Sequence, residues 1–379
     1  MRRALLTSVL LAAVLVAPVR PAAAQEAPSR CVAPDCVDVS VPVPPALKVP
    51  ENRVRVILPE GYAENPCRAY PVLYLLHGAG DTYRTWVENT DVVAFSRAYP
   101  VIIVMPDGGK NTEAGWYSDW ADGSRQWEAF HTDVLPKYID ATFRTLGAGH
   151  RLIAGLSMGG FGAMSYATRH KGMFKAAASF SGAVDTMFGF PLSGPGFAAA
   201  HPYFGTPDDR VWGNQLADEE TWREHNPTDR VADLAGTELF VATGTGTPAG
   251  PAGDDVDNPG GYAVEAFIFQ LNLSFVRALT LAGVPFNQDI YPGGQHDWPY
   301  WERELHWALP QMVPLATTGD ETKPCPAGEA ASLGGSANVL AAERVRSGIL
   351  PSTGAESALL PGLALVALAV VSRRVRRAA

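Results

Sequence analysis

An α/β fold, a mostly parallel central sheet flanked by helices in one domain, is predicted for this 379-residue chain by three observations. Short apolar runs recur with helical stretches between them, the alternation that builds a parallel sheet. Runs such as VLYLL and VIIVM are apolar throughout, as strands covered on both faces require. Near the middle, RLIAGLSMGG passes from an apolar run through a glycine-rich turn into a helical pattern, FGAMSYATRHKG. In such sheets ligands bind at the carboxyl ends of the strands, so chemistry is expected there.

Taken in order, strands are predicted at 54–58, 71–76, 101–105, 152–154, 176–180, 238–243 and 287–291, and helices at 127–143 and 161–170. One domain, 37–318, holds them all. Hydrophobic content of 47% is ample for a core, and a formal charge of −9 argues against nucleic acid as a partner.

The ends read as processing segments. Residues 1–24 have Arg2 and Arg3, an apolar run at 4–16 and Ala22-Ala23-Ala24, the pattern of a secretory signal peptide. That apolar run falls short of the ~20 residues of a spanning helix. An N-terminal segment, 25–36, follows. Beyond the domain lies an Ala/Gly/Ser-rich spacer, 319–349. The last stretch, 350–379, has LPSTG, an apolar run at 358–371 and Arg373, Arg374, Arg376 and Arg377. It resembles the cell-wall sorting signal of Gram-positive surface proteins, which implies a sortase and the cell wall as partners. A plain C-terminal membrane anchor with its positive residues inside is the alternative. Loss of 1–24 removes three Arg; loss of 354–379 removes four Arg and Glu356. The processed chain would then carry 23 basic and 38 acidic side chains, a charge of −15. That suits solubility at a wall surface.

The four cysteines, Cys31, Cys36, Cys67 and Cys325, fit an exported protein. Three pairings are possible; Cys31–Cys36 as a local loop and Cys67–Cys325 across the domain are expected. None stands at zinc-ligand spacing, and no metal or cofactor motif is present.

The chemistry centres on Ser157 in G-x-S-x-G. A tight strand-to-helix turn exposes such a serine at the top of a sheet, and the helix aims its N–H groups at developing negative charge. An activated serine needs a base and an orienting acid, in the order Ser, acid, His. Of eight histidines, His296 alone stands just past a late strand and before a helix. The acid is open. Asp254, Asp255 and Asp257 lie in the loop after 238–243, where generic spacing places it, and Glu265 lies early in the next helix. The oxyanion donors are expected to be the N–H groups of Met158 and of Ala79, in the loop LLHGAGD. His77, Trp116, Trp120 and Trp298, with Tyr117, Tyr300 and Trp301, are candidates to line a lipid or sugar cleft.

GLSMGG, LLHGAGD, VIIVMPDGGKNTEAGWYSDW, QWEAFHTDVLPKYID and GGQHDWPYWERELHW together resemble the putative-esterase superfamily of α/β hydrolases. That superfamily includes esterase D, feruloyl esterases and secreted mycolyltransferases. The resemblance covers 54–309 and implies Ser157 as nucleophile and His296 as base. In the mycolyltransferases the third member is a Glu within E-x-F-x-x-x-x-N-L-x-F; Glu265, Phe267, Asn272, Leu273 and Phe275 match it here. The resemblance therefore favours Glu265 over the loop aspartates. The mycolyltransferases carry Asp-Gly-Leu-Arg at the oxyanion loop. This chain has His77-Gly78-Ala79-Gly80, the His-Gly form of esterase D and feruloyl esterases.

Three functions follow as expectations. A surface-anchored serine esterase acting on small-molecule or lipid carboxylic esters leads. An acyltransferase passing the acyl group to trehalose or another envelope sugar is second. A non-catalytic surface binding module is third, and the intact Ser, His and acid argue against it.

Overall fold

The computed structural model describes residues 31, 35–109, 113–190, 209–255 and 258–317. The expected signal peptide, spacer and sorting signal lie outside these residues, as do Asp257 and Cys325.

The described residues hold one sheet of eight strands: β1 (Cys36–Ser40), β2 (Arg53–Ile57), β3 (Val72–Leu76), β4 (Ile102–Pro106), β5 (Arg151–Leu156), β6 (Ala176–Phe180), β7 (Glu238–Gly244) and β8 (Asn287–Tyr291). Their spatial order is β1-β2-β4-β3-β5-β6-β7-β8. From β4 through β8 every neighbouring pair is parallel; β1–β2 and β2–β4 are antiparallel. This is the α/β-hydrolase fold, with helices on both faces.

The all-apolar strands have a simple cause. Along β3, Val72, Tyr74 and Leu76 enter the core on one face, and Leu73 and Leu75 enter the core on the other. Each such side chain contributes ~1.5–3 kcal/mol by leaving water, so neither face tolerates a polar residue cheaply. One face is covered by α5 (Met158–Arg169), by α7 (Gly260–Ala282) and by α3 (Trp127–Ala129) with α4 (Leu135–Thr142). The other is covered by α1 (Thr85–Asn89), α2 (Val92–Ser96) and α8 (Trp298–Ala316). The remaining α6 (Glu219–His225) leads into a 3₁₀ segment, Pro227–Leu234, beside α5 and α7. Helix α7 is long and apolar enough to cross a membrane. It buries Glu265, Ile268, Leu271, Asn272, Phe275 and Leu279 against the domain, a stripe at helical spacing, so it is a core helix here.

Several boundaries differ from the sequence expectation. Strand β1 was not predicted: it is short and followed by prolines, yet it extends the sheet from Cys36, one residue before the expected domain start. The helix expected at 127–143 is three pieces, with a π turn at Phe130–Val134 just before Pro136. Pro136 has no N–H to give residue 132 and its ring crowds that turn, so the widened turn accommodates it. Helix α5 begins at Met158, three residues earlier than expected.

Cys31 and Cys36 form a disulfide. Cys67 is disulfide-bonded, while its expected partner Cys325 lies outside the described residues.

Candidate active site

Ser157 occupies the turn between β5 and α5, with φ +51° and ψ −116°. A side chain rarely adopts that backbone, and it persists only where the surroundings over-determine it. Here Ser157 N–H donates to the Phe180 carbonyl at 2.9 Å, and the Ser157 carbonyl accepts from Phe161 N–H at 3.1 Å. Gly159 lets the helix close on the loop after β3: a Cβ there would meet the Leu76 and His77 carbonyl oxygens at 2.6 and 2.7 Å. Gly78 presses against the same turn, where a Cβ would lie 3.5 Å from that of Ser157. Met158 follows Ser157 as the first residue of α5, and Ala79 follows Gly78 in the loop pressed against this turn.

His296 follows β8, and its N–H donates to the Gly261 carbonyl at 3.0 Å, so the histidine loop is pinned to the start of α7. Asp297 caps α8 by accepting from Trp298 N–H at 2.7 Å. The imidazole Nε2 is 2.9 Å from Ser157 Oγ, and Nδ1 is 2.8 Å from Glu265 Oε2. A carboxylate only accepts, so Nδ1 carries the proton and Nε2 is free to accept from the serine hydroxyl. Trp301 stands edge-on to the ring at 5.0 Å.

Glu265 is 0% exposed. Its Oε1 accepts from Ser181 Oγ at 2.7 Å, Gly244 N–H at 2.8 Å and Thr243 Oγ1 at 3.0 Å. With His296 this makes four donors on one carboxylate, which offsets its removal from water.

The loop aspartates stand elsewhere. Asp254 is exposed and accepts from Ala249 N–H at 2.6 Å and from the Tyr300 hydroxyl at 3.2 Å. The Ala249 bond leads in holding its carboxyl below the usual range. Asp255 is exposed, and its N–H donates to Gln295 Oε1 at 2.6 Å. Glu265, rather than Asp254 or Asp255, therefore meets His296. The default spacing fails because the loop runs outward while α7 turns its first buried carboxyl back under the sheet.

Six of the seven expected cleft residues are buried: His77, Trp116, Tyr117, Trp120, Tyr300 and Trp301. His77 is 1% exposed, and both ring nitrogens are committed. Nε2 accepts from Gly108 N–H at 2.8 Å, leaving Nδ1–H to donate to the Gly78 carbonyl at 2.8 Å. Burial pushes its pKa down to about 4, so it is a neutral brace for the loop after β3. Trp116 and Trp120 are each 2% exposed. Trp116 packs edge-on against Phe161 and Trp212, and Trp120 lies under the Arg125 and Arg210 guanidinium groups. Only Trp298 is half-buried, between Trp86 and Trp301.

Several residues around the site carry no sequence signal. Ser181, Thr243 and Gln295 look like ordinary strand-end or turn residues. Gln295 Nε2 donates to the Asp255 and Asn258 carbonyls at 2.8 Å, tying the aspartate loop to the histidine loop. Asp81 accepts from Gly78 N–H at 3.2 Å, and burial pushes its pKa up to about 7.

The chain is similar in sequence and fold to known esterases and acyltransferases. The chain is 34% identical over 249 residues to Esterase Rv1288 of Mycobacterium tuberculosis, covering 64% of this chain and 52% of that protein. It thus spans about half the length of that relative. It is 30% identical over 271 residues to the diacylglycerol acyltransferase/mycolyltransferase Ag85B of Mycobacterium leprae, covering 66% of this chain and 77% of the relative. A solved ferulic acid esterase superposes with a TM-score of 0.55 at 27% identity, over 74% of this chain and 98% of its own. Residues 50–312 match the profile described as Putative esterase, and the chain belongs to that family.

Proposed function

We propose that the protein is a serine esterase that forms an acyl-enzyme on Ser157, with His296 as general base and Glu265 as the orienting acid. The observation that carries this reading is the unbroken hydrogen-bonded series from Ser157 Oγ through His296 to the buried Glu265 carboxylate. As Oγ attacks the ester carbonyl carbon, His296 Nε2 takes the hydroxyl proton. The carbonyl oxygen becomes an oxyanion held by the Ala79 and Met158 N–H groups, each worth ~2.7–4 kcal/mol in the transition state. The C–O bond to the leaving alcohol then breaks, and His296 returns the proton to that alcohol. Water attacks the acyl-enzyme by the reverse sequence and releases the acid.

A second reading shares every step up to the acyl-enzyme and replaces water by a sugar hydroxyl. The similarity to the Ag85B acyltransferase favours it. Against it, the oxyanion loop is His77-Gly78-Ala79-Gly80 and has no Arg. The proposal includes export by the signal peptide at 1–24 and display at the cell surface through LPSTG at 350–354.

Incubating the protein with short and long acyl esters, with and without trehalose, and weighing the products tests both readings. Free acid regardless of sugar supports the esterase. Acylated sugar, absent with Ser157→Ala, supports the transferase. No turnover of any ester overturns both.

A further inference from the structure

Glu265 has a buried companion. Glu304, on α8, is fully enclosed, and its Oε1 accepts from the Tyr291 hydroxyl at 2.7 Å. The same oxygen lies 3.4 Å from Ser181 Oγ, the hydroxyl that donates to Glu265 at 2.7 Å. A single hydroxyl thus stands between two buried carboxyl groups. Ser181 follows β6 with a left-handed φ of +44°, fixed in part by its N–H bond to the Ala242 carbonyl at 2.8 Å. A strained non-glycine residue persists where its surroundings hold it, and here it aims one hydroxyl at the carboxyl pair.

The two carboxyls are served unequally. Glu265 has donors on both oxygens, four in all. Glu304 has one short donor on Oε1, and its Oε2 is buried without a partner. Two carboxyls in one dry pocket resist carrying two charges, and the better-served one takes the charge. The other charged groups near Glu304 do not reverse this. Arg303 on α8 is bound to Asp289 on β8 at 2.7 Å and lies 4.2 Å over the Tyr291 ring. Burial first, then the Glu265 charge, holds the Glu304 carboxyl well above the ordinary range.

We propose that Glu304 is a positioning residue: it remains an un-ionised acid behind the Ser157–His296–Glu265 series and leaves the Ser181 proton to Glu265, so that the site holds one negative charge. Ser181 has one hydrogen to give. An ionised Glu304 would compete for it, and a second charge would stabilise the His296 imidazolium. The inference rests on the catalytic reading of that series.

The test has two arms. In the first, kcat and KM are followed against pH for Glu304→Gln and Glu304→Ala. Glu304→Ala is expected to lose about tenfold or more in kcat with KM little changed, and Glu304→Gln to recover most of it. The acid limb of Glu304→Gln should stay within about 0.3 pH units of wild type, because a neutral amide replaces a neutral acid. A fall of about one unit would mean that a negative charge had been removed, and would overturn the proposal. So would Glu304→Ala with wild-type kcat. The second arm needs no turnover. Infrared spectra of the wild type near pH 9, above the Asp81 titration at about 7, should retain the C=O stretch of an un-ionised carboxyl. That band should shift in Tyr291→Phe, which removes its hydrogen-bond donor. Its absence overturns the proposal even if the variants do not fold. Failure of the catalytic reading shows separately, as no turnover with the band intact.

Discussion

Glu265 carries four hydrogen bonds and no contact with water, whereas Asp255, ten residues earlier, is exposed and offers its backbone to Gln295. Replacing Glu265 by Gln keeps the shape but removes the acceptor that selects the Nδ1–H tautomer, and it presents an amide N–H₂ to three donors or to the imidazole. Glu265→Gln should therefore lower kcat/KM by about 10³-fold or more, in line with loss of an orienting carboxylate. Asp255→Asn should change it less than about threefold, since surface substitutions touch no reacting group. Steady-state kinetics on one ester decides the ranking, and the reverse order would move the acid to the loop. Ser157 and His296 could be read from G-x-S-x-G and from a histidine just past a late strand. Glu265 could not be chosen on spacing alone, because loop length says nothing about which carboxyl turns inward; the E-x-F-x-x-x-x-N-L-x-F resemblance pointed to it. Ser181 and Glu304 were silent, since their partners come from β6, α7, β8 and α8, far apart in the chain.

At the scale of elements, the turn from β5 into α5 depends on the absence of a side chain at Gly159. A methyl at Gly159 would meet two backbone carbonyl oxygens, on Leu76 and His77, neither of which can rotate away. Gly159→Ala should cost roughly 1–3 kcal/mol of stability, the usual penalty for overpacking, and should cut activity as well by displacing Ser157. Urea unfolding with a parallel ester assay measures both; an unchanged midpoint would contradict this packing. The core strands β3 and β4 were legible because burial on both faces leaves an all-apolar signature. Strand β1 lacked one: its burial alternates, and as an edge strand it needs only one good face. Helix periodicity likewise could not show the π turn at Phe130–Val134, which answers a single proline.

For the whole molecule, buried titratable groups of opposite sense set the response to pH. Burial lowers the pKa of His131 to about 3, with its ring held between the Tyr166 hydroxyl and the Asp107 carbonyl. The unfolded chain takes up that proton near 6.5, so this stabilisation is present above 6.5 and is lost as pH falls toward 3. Asp81, raised to about 7, acts the other way: its contribution is present below 3.8 and is lost as pH rises through 7. The stability difference between wild type and His131→Gln should shrink on acidification. That between wild type and Asp81→Asn should shrink on alkalinisation. Calorimetric Tm values at several pH values check both signs, and parallel pH curves for all three proteins would contradict them.

The central claim is that Ser157 Oγ becomes covalently acylated, and intact-mass spectrometry tests it most directly. Wild type and Ser157→Ala are mixed with an activated aryl ester, quenched in acid within the first turnovers and weighed. The account predicts that wild type gains the mass of one acyl group and that Ser157→Ala gains none. Equal labelling of both proteins, or none of the wild type while it turns over ester, would contradict it.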